Sequence, residues 1–572
     1  IEGCKYDKEE KKVKTPKAFK EPYKTFAEGG WIGLSVPDEY GGQGLPFTFA
    51  VAANEYVSSS NMAWSLFPGI TRGAIQALLV SGSDAQKETF IPPMVRGEWT
   101  GTMCLTEPHC GTDLGLLKTK AVDKHNGSFE ITGQKIFISG GEHDLTNNIL
   151  HLVLARVEGE VALQIRIESG EVTDLRLNIF EPPRFFESFL RGRAASEAPD
   201  LTSRICGICP VAYQMSAVHA IERIYGIEID PAVRLLRRLY YCGEWIESHA
   251  LHIHMLAAPD FFGCASVIEL AEKAREAVER GLRMKKAGNQ IIALLGGRSV
   301  HPVGACIGGF TRVPARADLG GLREVLLRVQ DDALDWVRWG STLDLPTANQ
   351  DIEFVSLRHP REYPMNEGRI VSSKGIDIPQ TEFDSAFAES QVPHSNALHA
   401  AVRGRGAYFL GPLARLNLNF DCLGDAVQSV ARDTGIDWPN ANPHTSIVAR
   451  AIEILYAAGE AIRVIDAYQP PAAPAAAYEV RAGSGCAATE APRGLLFHAY
   501  ETDERGLLRS ARIIPPTSQN QAQMEAELRA LVRSMLDKPE AAITQACERA
   551  IRNYDPCISC ATHFLRLELQ RQ

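Results

Sequence analysis

Two short cysteine pairs stand far apart in the chain. "SRICGICP" carries Cys206 and Cys209, and "YDPCISCATH", close to the last residue, carries Cys557 and Cys560. Two C-x-x-C pairs offer four soft sulfur donors, provided that the chain between them folds back and brings its end to its beginning. Zinc ribbons close such pairs over short loops, so a plain zinc site fits this spacing poorly. A buried pair of unligated thiols and a centre needing all four thiolates stay open as readings. Either way, the intervening residues must supply a core of their own.

A chain of 572 residues is too long for one ordinary core, which predicts two or more domains. Its 45% hydrophobic and 23% charged content is that of a folded protein. A net charge of −10 argues against nucleic acid as a partner. The lysines between Lys5 and Lys24 read as a solvated face. No apolar run is long enough to cross a membrane. The opening "IEGCKYDKEEKKVKTPK" has neither the pattern of a secretory signal nor an initiator Met, so the expectation is a fragment without an export signal. Thirteen cysteines are too few for a disulfide scaffold and fit a reducing, cytoplasmic setting. Cys4, Cys104, Cys110, Cys242, Cys264, Cys306, Cys422, Cys486 and Cys547 read as small core residues.

The texture of the sequence changes near residue 155. Before it come Gly-rich turns and helical stretches, then strand-like segments, "GTMCLTEPHCGTDLG" and "SFEITGQKIFISGG". After it, "VALQIRIESGEVTDLRLNIFE" alternates about a Glu-Ser-Gly-Glu turn and predicts an antiparallel hairpin. The remainder is mostly helical by period, as in "SIVARAIEILYAAGEAIRVIDAY".

Residues 1–154 resemble the acyl-CoA dehydrogenase family on "GGWIGLSVPDEYGGQGLP", "TMCLTEPHCGTDL" and "ITGQKIFISGGEHD". The resemblance implies a loop against flavin and substrate containing Thr106, Glu107, Pro108, Gly111, Thr112 and Asp113. It stops inside the family's β-domain, before the helical domain with the catalytic carboxylate. Thr106, Gly111 and Thr112 are therefore expected to be a vestigial flavin site, and FAD is not expected in this chain.

From about Ala155 onward the chain resembles the large subunit of nickel–iron hydrogenases, in the cytoplasmic, NADP-linked, sulfhydrogenase-like branch. The motifs fall in order: "ARVEGE", "PPRFFESFLRGR", "SRICGICPVAYQMSA", "GGRSVHPVGACIGG", "EAPRG" and "YDPCISCATH". The fold implied is α+β, a mostly helical body with a small antiparallel sheet near its start, preceded by the truncated acyl-CoA dehydrogenase piece. The domains expected are 1–154, 155–563 and a cleavable tail, 564–572. Leu154-Ala155-Arg156 suits both families, and an assembly artefact joining two genes at that short shared sequence is favoured over a genuine fusion.

The resemblance also implies a site. Cys206 and Cys557 would be terminal nickel ligands, and Cys209 and Cys560 would bridge nickel to an iron carrying CO and cyanide. Glu158 would relay protons, exchanging with Cys557. Arg493 would sit above the cyanides with Asp555 beside it. Glu187 and His563 would hold magnesium. His301, His249 and His252 would serve as supporting hydrogen-bonding groups. Tyr213 stands where many relatives carry His, and Ser248 where several carry Asp. The partners implied are a small subunit with iron–sulfur clusters, flavin and NAD(P) diaphorase subunits, and a C-terminal maturation protease cutting after His563. The alternatives are an acyl-CoA-dehydrogenase-like flavoprotein and a non-catalytic thiol-metal protein.

Overall fold

A computed structural model describes residues 3–111, 117–124, 128–157, 161–168, 171–179, 185–264, 267–348, 350–556 and 566–571. The chain divides into two compact units, Ile1–Glu158 and Gly159–Gln572.

The first unit opens with a short antiparallel pair, Lys5–Asp7 with Lys12–Lys14, followed by the α-helices Lys17–Glu28, Phe47–Ser60, Met62–Ser81 and Asp84–Val95. The last of these opens with a reciprocal cap: Ser83 accepts from the Gln86 amide, and the Gln86 side chain accepts from the Ser83 amide. Tyr23, Trp64, Ile75, Ile91 and Met94 form the core between them. Strand Trp99–Cys104 then runs parallel to Asn148–Val153. Strand Lys120–Asp123 pairs with Phe129–Thr132 on one side and Arg156–Val157 on the other. The second strand-like segment is thus strand only over Phe129–Thr132; Gly133–Asp144 is irregular. The lysines from Lys5 to Lys24 are exposed, as the sequence predicts.

In the second unit, the predicted hairpin forms as Val161–Glu168 paired antiparallel with Glu171–Ile179. Alternation puts Leu163, Ile165, Leu175 and Leu177 into one core, against Met524, Leu528 and Ile551 from the last two long helices. Arg566–Arg571 joins this hairpin as a third strand, parallel to Val161–Glu168, with Arg566 opposite Ala162 and Arg571 opposite Ile167. The alternation in "LRLELQR" is the strand signal for it. Instead of one small sheet, several are present. The largest outside the hairpin is the meander Gly483–Ala491, Gly494–Thr502, Leu508–Ile514.

Long helices make the body: Pro210–Tyr225, Pro231–Leu251, Arg275–Gly296, Gly320–Gly340 and Ser446–Ala467. Pro231–Leu251 is capped by the Asp230 carboxylate, which accepts from the Ala232 amide at 2.7 Å. It crosses Arg275–Gly296 where both backbones are bare. A Cβ on Gly288 would meet the Gly243 carbonyl at 2.5 Å and the Glu247 amide at 2.6 Å, so only glycine permits this approach. At its C-terminal end the same helix widens into a π turn, His252–Ala257. Among the scattered cysteines, Cys104, Cys110, Cys242, Cys264 and Cys547 are buried, whereas Cys4 is exposed and is not a core residue.

Candidate metal centre

Ser203–Ile205 makes one tight turn, after which Cys206 is extended and Cys209 becomes the residue before the Pro210–Tyr225 helix. Pro210 suits the first helical position, where no amide proton is needed. The chain thereby doubles back over three residues. The two sulfur atoms adjoin, with the Cα atoms 5.4 Å apart. The Cys209 amide donates to Cys206 Sγ at 3.1 Å. Cys209 is buried, and Cys206 is partly covered.

Glu244, from the middle of Pro231–Leu251, supports this turn from below. Its carboxylate accepts from the Val211 amide at 2.5 Å and from the Ala212 amide at 3.1 Å. An acidic group at a helix N-terminus satisfies orphan amides and complements the dipole. Burial nonetheless pushes its carboxyl well above the ordinary range, with the two amides pulling it back. On the outer side, His301 Nδ1 meets the Ser203 carbonyl at 2.8 Å, and Arg204 donates to the His301 carbonyl at 3.0 Å.

Arg493 faces the sulfurs. It occupies the two-residue turn between strands Gly483–Ala491 and Gly494–Thr502 and is 2% exposed. Gly494 completes that turn at φ +132°, where a Cβ would meet Leu410 Cβ at 2.6 Å. Arg493 Nη1 lies 3.7 Å from Cys209 Sγ and 4.0 Å from Cys206 Sγ. Its Nε donates to the Asp555 carbonyl at 2.6 Å, and its Nη2 to Asp555 Oδ1 at 3.2 Å. Asp555 is 1% exposed and adopts φ +48°, a left-handed conformation that Asp tolerates better than most residues. The far end of the chain is thus tied to the first cysteine pair two residues before Cys557. Cys557, Cys560, Glu158, Thr112 and His563 lie outside the described residues.

A buried charge network holds the Arg493 turn. Arg415 donates to Glu453 at 2.8 and 2.7 Å, to Glu490 at 3.0 Å, and to the Ala491 and Pro492 carbonyls at 2.8 and 2.9 Å. Its guanidinium stacks over Trp245, 4.3 Å from the ring centre. Burial opposes the charge on Glu453, but Arg415 and His249 bring its carboxyl down to about 2. Burial dominates at Glu490 and raises it to about 7 despite Arg415. His249 bonds Glu453 at 2.9 Å, and His252 donates to the Arg552 carbonyl at 2.8 Å, linking the π turn to the final helix, Glu540–Asn553. Burial lowers these imidazoles to about 4 and about 3, keeping them neutral. Tyr213 is buried, its ring 5.8 Å from that of His498, and Ser248 is buried in helix Pro231–Leu251.

Glu187 is buried in Phe185–Leu190, and its Oε1 accepts from the Ile513 amide at 2.8 Å. In the first unit, Thr106 and Gly111 flank a loop knotted by Glu107. That carboxylate accepts from the Lys118 and Thr119 amides at 2.8 and 2.9 Å and from Lys135 at 2.9 Å. Burial works against its charge, yet these hydrogen bonds hold it well below the usual carboxylate range. Glu107 is thus occupied in bracing its own loop.

The residues fit a thiolate-held metal. Two adjoining sulfurs are soft donors for nickel or iron. A fixed, buried guanidinium beside them suits anionic groups on a metal. Fold and site together define a helical scaffold that ties Asp555, near its far end, through Arg493 to a cysteine pair suited to a soft metal.

Comparison with known proteins makes the class specific. A family model described as "Nickel-dependent hydrogenase" matches residues 184–283 and 438–563. Sulfhydrogenase 1 subunit alpha of Pyrococcus furiosus is 31% identical over 424 residues, 72% of this chain and 97% of that protein. The structure of an NAD+-reducing NiFe hydrogenase in the H2-reduced state aligns with a TM-score of 0.62 at 26% identity, over 69% of this chain and 94% of that one. The chain belongs to the nickel-dependent hydrogenase family, as a large, or alpha, subunit. Residues 5–98 match a second model, "Acyl-CoA dehydrogenase, N-terminal domain". Over 145 residues, 25% of each chain, the protein is 48% identical to 3-methylmercaptopropionyl-CoA dehydrogenase of Ruegeria pomeroyi. The chain spans about a quarter of that relative.

Sequence reasoning picked out the cysteines, Arg493 and Asp555, but not Glu244 or the Arg415–Glu453–Glu490 network. A charged residue in a helix announces its burial only through partners remote in the chain. The apolar setting of Glu244 in "YYCGEWIESHA" is the one available signal.

Proposed function

We propose that the second unit splits dihydrogen heterolytically, and reversibly, at a nickel–iron centre held by Cys206, Cys209, Cys557 and Cys560. The carrying observation is the Asp555–Arg493 contact, which anchors the chain just before Cys557 against the first cysteine pair. Cys206 and Cys557 would bind nickel, and Cys209 and Cys560 would be shared between nickel and an iron carrying CO and cyanide. The bound centre supplies a redox-active Lewis acid that polarises dihydrogen; the protein supplies the base and the route. Arg493 offers a fixed donor fork to anionic ligands, and Asp555 keeps that fork oriented. Glu158 takes the proton from Cys557 and passes it outward. Glu187 and His563 hold magnesium, an oxygen- and nitrogen-ligated ion suited to closing the C-terminal region.

The electrons leave through a small subunit with iron–sulfur clusters, because the remaining cysteines of this chain are scattered too widely to carry one. Flavin and NAD(P) diaphorase subunits in the cytoplasm lie beyond it. Residues 1–154 take no part, 155–563 form the hydrogenase domain, and 564–572 is a tail removed by a maturation protease after His563. The parallel strand formed by Arg566–Arg571 supports this reading, since it gives the tail a seat on the hairpin until cleavage. Metal analysis with infrared spectroscopy tests the proposal. Nickel and iron together with CO and cyanide stretches are expected, while zinc alone would favour a non-catalytic thiol-metal protein.

A further inference from the structure

Away from the thiolates, three side chains from separate elements converge on one point. His394 comes from the loop after strand Phe387–Ser390, and His399 from the first position of strand His399–Val402. Glu525 projects from the middle of helix Pro516–Arg533. Each offers one ligating atom, and these atoms lie within 4.8 Å of one another. His394 Nε2 meets Glu525 Oε1 at 2.8 Å, and the two rings stand nearly perpendicular, 5.7 Å between centres. The same Glu525 oxygen accepts from the Leu177 amide at 2.9 Å, which fixes the carboxylate from outside the cluster. His399 is 7% exposed, and its Nε2 is buried without a hydrogen-bond partner.

An ordinary histidine–glutamate ion pair accounts for His394 and Glu525. It leaves the His399 nitrogen unexplained, and a buried polar atom left unmet costs about 1–3 kcal/mol. Burial lowers the basicity of His399, with Glu525 opposing and His394 adding to the effect, so the ring is held neutral, the form that ligates metals. The geometry points to a second metal site, in which His394, His399 and Glu525 bind one divalent transition ion of the zinc type, with water completing the shell. Two imidazoles and one carboxylate are a donor set that zinc takes with an open fourth position. Binding replaces the His394–Glu525 contact and leaves the Leu177 amide to orient the carboxylate. The ion would pin the strand, the loop and the helix together on the flank of the hairpin.

The test titrates Zn2+ alone into the chelator-treated full chain and reads the zinc-edge X-ray absorption. A cysteine-bound zinc shows sulfur in its first shell; this cluster shows only nitrogen and oxygen, with imidazole scattering. The expected result is one zinc equivalent of the second kind in the wild-type chain. His394→Ala and His399→Ala should each weaken it by more than about 100-fold, the upper end for loss of a mere outer partner. The spectrum of the unaltered chain decides even if His399→Ala does not fold. No zinc uptake, a sulfur-only shell, or retention of the nitrogen–oxygen equivalent in a folded His394→Ala chain would overturn the site. None of these outcomes bears on the nickel–iron centre.

Discussion

Replacing Arg415 with methionine should do more damage than removing any thiolate. Its guanidinium is fully buried and answers two carboxylates and two carbonyls at once. Methionine fills part of the volume but strands Glu453 in the interior. Removing one partner of a buried ion pair costs about 3–5 kcal/mol. A loss near 4 kcal/mol lowers the folding equilibrium by about three orders of magnitude. The Ala491 and Pro492 carbonyls lose their donors too, so the turn that aims Arg493 should loosen and nickel content should fall. Urea unfolding followed by tryptophan fluorescence reads the cost, since Trp245 stacks on the guanidinium. Adding Glu453→Gln to Arg415→Met should recover part of the loss, because the stranded charge disappears. A cost below about 1 kcal/mol, or a double variant showing the full sum of the two single losses, would refute the reasoning.

The same network fixes a pH response. Glu453 has its carboxyl lowered from 4.5 to about 2, so its stabilisation is complete above about 4.5 and vanishes as pH falls through about 2. Glu490 is raised from 4.5 to about 7, so its contribution is complete below about 4.5 and is lost as pH rises through about 7. Glu453→Gln should therefore flatten the acid limb of the stability profile alone, as pH-resolved urea midpoints would show. Arg493→Lys keeps the charge but loses the fork that grips Asp555, and should lower hydrogen-dependent dye reduction at least about tenfold while the protein stays folded; unchanged rates would remove Arg493 from the site. Deleting residues 1–154 should leave nickel per chain unchanged and raise the soluble yield, because Phe47, Phe49, Tyr56 and Met62 are exposed in the first unit; loss of nickel would show that the removed residues are needed. Intact mass of active, nickel-loaded enzyme should end at His563, and retention of Phe564–Gln572 would contradict processing.

The hairpin, the long helices and the cysteine pairs are legible in the sequence because each is a local pattern: alternation for 161–179, helical period for Ser446–Ala467, and fixed spacing for Cys206 and Cys209. Arg493 and Asp555 are legible through motif resemblance, yet nothing local says that they touch. Glu244 under the Cys209 helix and Arg415 behind the Arg493 turn are not legible, since their meaning lies in partners from distant segments. The alternation in "LRLELQR" is plain in the sequence, but which strand Arg566–Arg571 pairs with is not, because the backbone pairing is made with a segment about four hundred residues away.

One infrared spectrum of the purified enzyme, taken with its nickel and iron content, tests the central claim most directly. The proposed centre on Cys206, Cys209, Cys557 and Cys560 predicts nickel and iron in equal amounts, with CO and cyanide stretches that shift under hydrogen, and that disappear in Cys209→Ser. A folded protein that carries zinc alone, with no such stretches before or after exposure to hydrogen, would contradict it.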